Sequence, residues 1–385
     1  MKLVVQVKLL PTPAQAAALA TTLRACNAAA QYTSRVAFER NVKSRNELQK
    51  LCYREIKDRF GLSAQPAVRV VKKVVDAYTA LHAGIRAGYL GGERSRRRVK
   101  AESKPIAFNT SSAQPFDDRC LSWRYDAGTV SIWTTAGRLK GIGFVGSADQ
   151  LATLRAHRRG ESDLLFRDGG WFLIATCEVP EPEVFEPADW IGVDRGITNL
   201  ATTSDADNFQ GRRLQRYRRW HGRKRVELQA KRTKSAKRRL KARARKEARH
   251  AACVNHSIAK DIVAVAQRTG RGIALEELRG IRDRVRLNRH QRAIMSSWPF
   301  HQLERHITYK ARRAGVPVLL VDARYTSQMC PRCKHTTRSN RPTRDTFSCR
   351  LCGLAGPADV VAAVNVRDRA RRAWVLVNAP VPMAA

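Results

Sequence analysis

Four cysteines in the C-terminal part of the sequence have the spacing of metal ligands. They form two Cys-x-x-Cys pairs, Cys330/Cys333 and Cys349/Cys352, with fifteen residues between the pairs. Each pair makes a tight turn that directs two thiolates at one point, so together they supply a tetrahedral four-sulfur shell, which suits Zn²⁺. The alternatives are two disulfides or four free thiols, but the spacing favours one zinc ion. Because a closed four-cysteine site has no open coordination position, this zinc would be structural, and catalysis would need other residues.

Three acidic residues have the character of ligands for divalent ions. Asp194 and Glu276 each follow a short apolar strand pattern, and Asp359 opens a helical pattern after the second cysteine pair. Mg²⁺ prefers carboxylates, and two such ions about 3.5–4 Å apart can activate water and stabilise the leaving oxygen in phosphodiester hydrolysis. Each acid alone is more often a cap or turn residue, but together they predict a catalytic site for two Mg²⁺ ions. The strand pattern does not distinguish Glu276 from Glu277, because a strand buried on both faces tolerates either.

The composition indicates a polyanionic partner. The 385 residues include 73 Lys and Arg against 33 Asp and Glu, a formal net charge of +40. Such an excess favours nucleic acid. No apolar run approaches the ~18–20 residues of a membrane-spanning helix and no segment resembles a signal peptide, so no membrane partner is expected. Nine cysteines without a disulfide framework fit a reducing cytoplasm, and we expect association with a prokaryotic nucleoid.

The hydrophobic period changes along the chain and predicts its architecture. A weakly alternating strand at 2–9 precedes helical patterns that begin with a capping box at Thr12 and Gln15. Short alternating runs from 106–108 to 171–177 predict a small antiparallel β-barrel, to which the first strand could return. Beyond this barrel, strand and helix patterns alternate, which predicts an α/β fold. The sequence lacks a P-loop, a Gly-x-Ser-x-Gly elbow and a His-Glu-x-x-His helix, so nothing competes with the metal-dependent interpretation.

A strongly basic segment at 211–250 is the predicted nucleic-acid surface. It contains nineteen Lys and Arg against two Glu. A charge run is often only a solvated helix face, but here the sign is too one-sided for helix–helix ion pairs, so a phosphate backbone is the better neutraliser. Tyr217 and Trp220, within this segment, could stack bases or pack in a core. We expect phosphate contacts from seven basic residues of this segment and from three arginines that follow Glu276 and Glu277. They are Arg212, Arg213, Arg218, Arg219, Arg223, Lys224, Arg225, Arg279, Arg282 and Arg284.

Three segments resemble the motifs of RuvC-type, RNase H-like nucleases. They are GVDRGITNLATTS, GIALEEL and ADVVAAVNV, and the cysteine ribbon lies just before the third. Their order, with VNHSIAK before the second motif and SWPFHQLERHITYKARRAGVPV after it, resembles TnpB, the transposon-encoded RNA-guided nuclease family related to type V CRISPR effectors. The N-terminal VKLLPTPAQAAAL also resembles that family. The likeness is strong from 190 to 370 and thin from 40 to 185.

The resemblance implies both partners and chemistry. It implies a structured guide RNA, a double-stranded DNA target beside a short adjacent motif, and single-stranded DNA threaded into one RuvC site that uses Mg²⁺. It assigns the catalytic and Mg²⁺-binding roles to Asp194, Asp359 and the first acid of the second motif, Glu276. One position departs from the family, which often has Asn two residues after the third-motif Asp. This chain has Val361 there, although Asn365 is present.

The expected fold is α/β, with an RNase H-like (RuvC) nuclease domain, an inserted zinc ribbon, an N-terminal helical module and a small antiparallel β-barrel. The predicted domains are a wedge-like β-barrel at 1–10 and 99–187, a helical recognition module at 11–98, the nuclease domain at 188–325 and 357–372, the zinc ribbon at 326–356, and a C-terminal tail at 373–385.

Several alternatives remain open from the sequence. The chain could be a nuclease-inactive, RNA-guided DNA-binding repressor, although that interpretation predicts the loss of at least one acid. It could also be a transposase that cuts DNA without RNA. The ribbon could guide DNA to the site or only brace the nuclease fold. The sequence does not separate a transposon protein from a small CRISPR effector, and it does not give the oligomeric state.

Overall fold

The structure, a computed structural model, describes residues 1–278 and 300–378. The chain divides into two compact units, Met1–Pro180 and Glu181–Ala385. The boundary falls in the segment 180–182, which contains two prolines. Because proline has no backbone N–H to donate to a sheet, this segment does not continue the preceding strand, which ends at Glu178. Within the described residues, no helix is both long and apolar enough to cross a bilayer.

The first unit contains a nearly closed antiparallel sheet of seven strands. The expected return of the N-terminal strand is confirmed, because β1 lies between β7 and β5 in the order β2-β6-β7-β1-β5-β4-β3. The two outermost strands, β2 and β3, are joined by only residues 117–120, which keeps the two edges of the sheet close. The strands are β1 Lys2–Leu10, β2 Gln114–Phe116, β3 Leu121–Arg124, β4 Thr129–Thr134, β5 Gly137–Val145, β6 Arg158–Arg167 and β7 Gly170–Glu178.

One predicted strand is wrong. Residues 106–108 have no regular secondary structure, because helix side chains take their backbone groups. Ser34 Oγ donates to Ile106 O at 2.8 Å, and Phe108 N donates to Gln31 Oε1 at 2.9 Å. The alternating pattern therefore reflects packing against a helix and not pairing with another strand.

The helices of the first unit follow the sequence signals closely. The capping box at Thr12 and Gln15 is present, and the long helical pattern that follows it splits where Gly61 adopts a left-handed backbone (φ 61°). The short helix α4 crosses the predicted module boundary at residue 98, and α5 was not predicted. The helices are α1 Pro13–Glu39, α2 Arg45–Phe60, α3 Ala64–Arg86, α4 Arg96–Glu102 and α5 Ala148–His157.

The second unit contains a mixed five-stranded sheet with helices, which confirms the α/β class. Strands β8, β11 and β12 are parallel, in the order β10-β9-β8-β11-β12. Strand β9 pairs antiparallel with β8, and the edge strand β10 pairs antiparallel with β9. The inner strands are apolar because both faces are covered, and Ile191 and Ile273 share a core with Ile262. The strands are β8 Asp189–Asp194, β9 Asn199–Thr203, β10 Asn208–Gln210, β11 Arg271–Glu277 and β12 Val318–Asp322.

Among the described residues of this unit, four long helices and a small two-stranded ribbon accompany the sheet. The last helix extends past residue 372, where the nuclease domain was predicted to end, because Trp374 continues its packing against the buried Trp190, with ring centroids 5.4 Å apart. The described elements are α6 Arg212–Ala230, α7 Lys234–Arg268, α8 Phe300–Arg313, α9 Ala358–Asn378 and the ribbon strands β13 Thr346–Ser348 and β14 Ala355–Pro357.

Candidate active site and zinc ribbon

Asp194 and Glu276 lie side by side at the carboxyl ends of two parallel strands. Val193 of β8 is in register with Leu275 of β11, so the next residue of each strand reaches the same edge of the sheet. The two carboxyl groups are close enough that each affects the pKa of the other. Glu276 is only 6% exposed, whereas Glu277, which points to the opposite face, is exposed. Of the two neighbouring glutamates, the structure therefore brings Glu276 to Asp194.

Asp359 reaches the same region on the first turn of α9. This helix packs across β8 at Gly192, where an added Cβ atom would lie 2.0 Å from Ala363 O, so only glycine permits the approach. The carboxylate of Asp359 accepts a hydrogen bond from Asn199 Nδ2 at 2.8 Å and another from Arg341 Nη2 at 3.0 Å. The third acid is therefore oriented by one residue of β9 and one of the ribbon.

The electrostatics show that the acids share one environment. Burial, followed by the negative charges of Glu276 and Asp359, raises the pKa of Asp194 well above its usual range. Burial also raises the pKa of Glu276, against the hydrogen bond from Thr326 and the charge of Arg195. The three carboxylates do not all lie within 4.8 Å of one another. Clustered acids that destabilise one another's charge, as here, suit a divalent cation, so the residues fit the Mg²⁺ that the resemblance implies.

One neutral and one cationic side chain donate hydrogen bonds to Glu276, and the sequence analysis identified neither. Thr326 Oγ1 donates to Glu276 Oε1 at 2.5 Å. Arg195, 2% exposed, donates to the backbone oxygen of Glu276 and forms an ion pair with Glu304 at 2.7 Å. The sequence signal that could have identified Arg195 is its position directly after Asp194, at the end of an apolar strand pattern.

The four ribbon cysteines converge as predicted. Their sulfurs all lie within 4.8 Å of one another, with 3.6 Å between Cys330 and Cys352 and 3.5 Å between Cys333 and Cys349. A disulfide requires about 2.05 Å, so these pairs are not disulfides. A tetrahedral site with zinc–sulfur bonds of about 2.3 Å has sulfurs about 3.8 Å apart. The cluster is compatible with zinc.

Two arginines of the ribbon also contact the site, and sequence reasoning missed them too. Arg341 contacts Asp359, and Arg344 lies 3.9 Å from the same carboxylate. The ribbon contains several arginines in a loop with no periodic pattern, so no sequence signal singled out these two.

The predicted nucleic-acid contacts lie on α6 where the structure describes them. Arg218 and Lys224 are partly buried, and the others on this helix are exposed. Lys224 is paired with Glu227, and Arg225 with Glu247. Trp220 is 43% exposed, with the guanidinium of Arg243 4.3 Å from its ring centre. The predicted contacts that lie outside the described residues are Arg279, Arg282 and Arg284.

Sequence comparison finds relatives among RNA-guided nucleases. Residues 300–366 match the family described as Cas12f1-like, TNB domain. The chain is 26% identical over 226 residues to the CRISPR-associated endodeoxyribonuclease Cas12f1 of Syntrophomonas palmitatica, covering 54% of this chain and 44% of that protein. It is 29% identical over 220 residues to InsQ of Escherichia coli K12, whose name describes an RNA-guided DNA endonuclease, covering 51% and 53%. The chain therefore spans about half the length of these curated relatives.

A further relative and a solved structure agree with these matches. A TnpB-like protein of Methanocaldococcus jannaschii is 31% identical over 112 residues, or 29% of this chain and 40% of that protein. The fold is similar to the cryo-EM structure of a Cas12f1–sgRNA–target DNA complex, with a TM-score of 0.54 at 14% identity over 91% of this chain and 82% of that one. The resemblance to the TnpB family is thereby confirmed: parts of this chain are similar to TnpB-like and Cas12f1 proteins, and residues 300–366 match the Cas12f1-like TNB domain.

Proposed function

We propose that this chain is an RNA-guided DNA endonuclease. It would use a guide RNA to recognise double-stranded DNA beside a short adjacent motif, and would cut it by Mg²⁺-dependent hydrolysis in one RuvC-type site. The observation that carries this proposal is the convergence of Asp194, Glu276 and Asp359 from a strand end, a second strand end and a helix start. Relatives named as RNA-guided and CRISPR-associated endonucleases support it. Such a substrate would place the protein in the prokaryotic cytoplasm, at the nucleoid.

The three acids would hold two Mg²⁺ ions. Bound there, the ions would activate a water and stabilise the leaving oxygen of the phosphodiester. The protein's own contribution is orientation. Asn199 and Arg341 fix the carboxylate of Asp359, while Thr326 fixes one oxygen of Glu276. Burial of Glu276 limits competing water at the site.

The four ribbon cysteines would bind one structural zinc ion. All four positions of a tetrahedral zinc would be filled by sulfur, so this ion would take no part in hydrolysis. The ribbon would instead hold Arg341 beside Asp359. This arrangement supports a role for the ribbon in building the nuclease site, beyond bracing the fold.

Guide RNA and target DNA would bind along α6. The exposed arginines of this helix have few acids nearby to neutralise them, since the segment 211–250 contains only two Glu. Trp220, stacked with Arg243 and 43% exposed, offers a face on which a base could stack, an interaction worth about 1–3 kcal/mol. Tyr217 packs against His221 and His250, with ring centroids 4.4 Å away in each case, which favours a packing role for it.

The test is reconstitution with the native RNA. The protein would be co-expressed with the RNA transcribed from the DNA that flanks its gene. The purified complex would then be incubated with matching duplex DNA and Mg²⁺. We expect cutting by the wild type and none by Asp194→Ala. Sequence-specific binding without cutting by the wild type would indicate a nuclease-inactive repressor. Cutting that survives RNase treatment would indicate a transposase independent of RNA. Either outcome would contradict the proposal.

A further inference from the structure

Thr326 connects the zinc ribbon to Glu276. Its Oγ1 donates to Glu276 Oε1 at 2.5 Å, and the two residues are 3% and 6% exposed. The same hydroxyl lies 3.1 Å from Ala323 O. A hydroxyl has only one proton, and its shorter contact is with a carboxylate, which makes the stronger hydrogen bond. The proton therefore goes to Glu276, and one oxygen of this acid is held in place.

The turn that contains Thr326 is held from two sides. Asn365 of α9, which is fully buried, donates from Nδ2 to Thr326 O at 2.8 Å and to Met329 O at 2.7 Å. Cys330, the first ribbon cysteine, follows Met329 directly. The helix that carries Asp359 and the cysteine cluster therefore fix the same short turn.

We propose that Thr326 is a positioning residue for Glu276, through which the first cysteine turn of the ribbon is coupled to the nuclease site. This inference rests on the proposed function, because it takes Glu276 as a Mg²⁺ ligand. A carboxylate with one oxygen held by a buried hydroxyl has fewer orientations available, so it presents its other oxygen in a defined direction. Loss of such an outer partner usually costs about 10–100-fold in metal affinity or activity.

The test compares Thr326→Val with Thr326→Ser. Valine has nearly the shape of threonine without the hydroxyl, and serine keeps the hydroxyl without the methyl group. Mn²⁺ binding to the RNA-free protein would be measured from the electron paramagnetic resonance signal of free Mn²⁺. The metal concentration for half-maximal DNA cutting would be measured on the guide RNA complex. We expect Thr326→Val to weaken Mn²⁺ binding about 10–100-fold and to raise the required metal concentration. Thr326→Ser should remain close to wild type.

Zinc content and thermal melting separate positioning from folding. Under the proposal, Thr326→Val keeps its zinc and its melting transition while losing metal affinity. Wild-type Mn²⁺ affinity in Thr326→Val would overturn the inference. So would equal weakening in both variants, which would implicate the methyl group, or loss of zinc in Thr326→Val, which would show a structural role.

Failure of the proposed function would be distinguishable from failure of this inference. If the wild type binds Mn²⁺ in a manner abolished by Asp194→Asn but cuts no guided DNA, the nuclease proposal fails. The Mn²⁺ affinities of the two Thr326 variants would still decide the positioning role. A wild-type chain that binds no Mn²⁺ would overturn both.

Discussion

Arg341 of the cysteine ribbon donates a hydrogen bond from Nη2 to Oδ1 of Asp359 at 3.0 Å. Arg344 Nη2 lies 3.9 Å from the second carboxylate oxygen, and the Asp359 side chain is only 13% exposed. Both oxygens of this acid therefore face guanidinium groups. A divalent ion that binds Asp359 must share these oxygens with the arginines and tolerate their positive charge. The ribbon would thus lower the affinity of the proposed site for Mg²⁺ while it holds one of the three acids in place.

Arg341→Ala should consequently tighten the binding of Mn²⁺ to the RNA-free protein. Removal of one partly buried ion pair is worth roughly 1 kcal/mol, which corresponds to about fivefold in affinity. The matched control is Arg350→Ala, because Arg350 Nε donates to the backbone of Ser339 within the ribbon. Calorimetric titration of the two variants would decide the question. Unchanged or weaker binding in Arg341→Ala would show that the arginine does not compete with the ion.

Asp194→Asn should stabilise the metal-free protein while abolishing DNA cutting. The folded-state pKa of Asp194 is raised by burial and by Glu276 and Asp359. This carboxyl group therefore favours folding below its ordinary pKa of about 3.9 and disfavours it at higher pH. At pH 7 the substitution removes an unfavourable buried charge, and the melting temperature should rise by about 2–4 °C for each kcal/mol gained. The gain should shrink as the pH falls towards 4.

A control substitution that changes the net charge by the same amount tests this interpretation. Asp205→Asn removes one negative charge from an ion pair with Arg271, whose closest atoms are 2.6 Å apart. It should give no gain in melting temperature, because this charge is already neutralised. Added Mg²⁺ should raise the melting temperature of the wild type but not of Asp194→Asn. If Asp194→Asn melts at or below the wild-type temperature at pH 7, the three acids do not repel one another as described.

The sequence could predict the placement of two of the acids because strand geometry is local. A buried strand pattern that ends in an acid brings that acid to the edge of a parallel sheet, and the register of Val193 with Leu275 then makes Asp194 and Glu276 neighbours. The choice between Glu276 and Glu277 depends on which face of β11 meets the site. The strand pattern could not identify that face, since both faces of β11 are buried and apolar up to Glu276.

Partners of the acids could not be predicted, because they are remote in sequence. Thr326, Arg341 and Asn199 reach the acids through the packing of the ribbon, α9 and β9. None belongs to a periodic pattern that marks its direction. The departure from the family motif is at Val361, and the sequence analysis assigns no role to the nearby Asn365. The hydrogen bonds of Asn365 to the 326–329 backbone give it a structural role.

Cys349→Ser combined with Cys352→Ser should release zinc and impair DNA cutting. Two of four sulfur ligands are lost, so zinc content should fall from about one per chain to none. The ribbon should then unfold, which frees Arg341 and Thr326 from their positions at the acids. Atomic absorption would measure zinc, and guided DNA cutting would measure the site. Cys253→Ser is the control, because this cysteine is exposed and lies outside the ribbon. Full cutting activity in the zinc-free variant would contradict this coupling.

Neutralising the exposed face of α6 should reduce the salt dependence of nucleic-acid binding. Arg212, Arg213, Arg219 and Arg223 are exposed there, and each one that contacts a phosphate releases counterions on binding. Their joint replacement by Gln should make the slope of log K against log salt less steep by roughly 1 for each lost phosphate contact. Fluorescence anisotropy would measure K at salt concentrations from about 50 to about 200 mM.

Arg312→Gln provides the comparison for this last experiment. Arg312 already forms two hydrogen bonds with Glu181, at 2.6 and 2.7 Å, so its charge is largely neutralised before any nucleic acid binds. Its replacement should leave the slope nearly unchanged. If the α6 variant also keeps the wild-type slope, these arginines face only solvent. The net charge of +40 would then have to act through another surface.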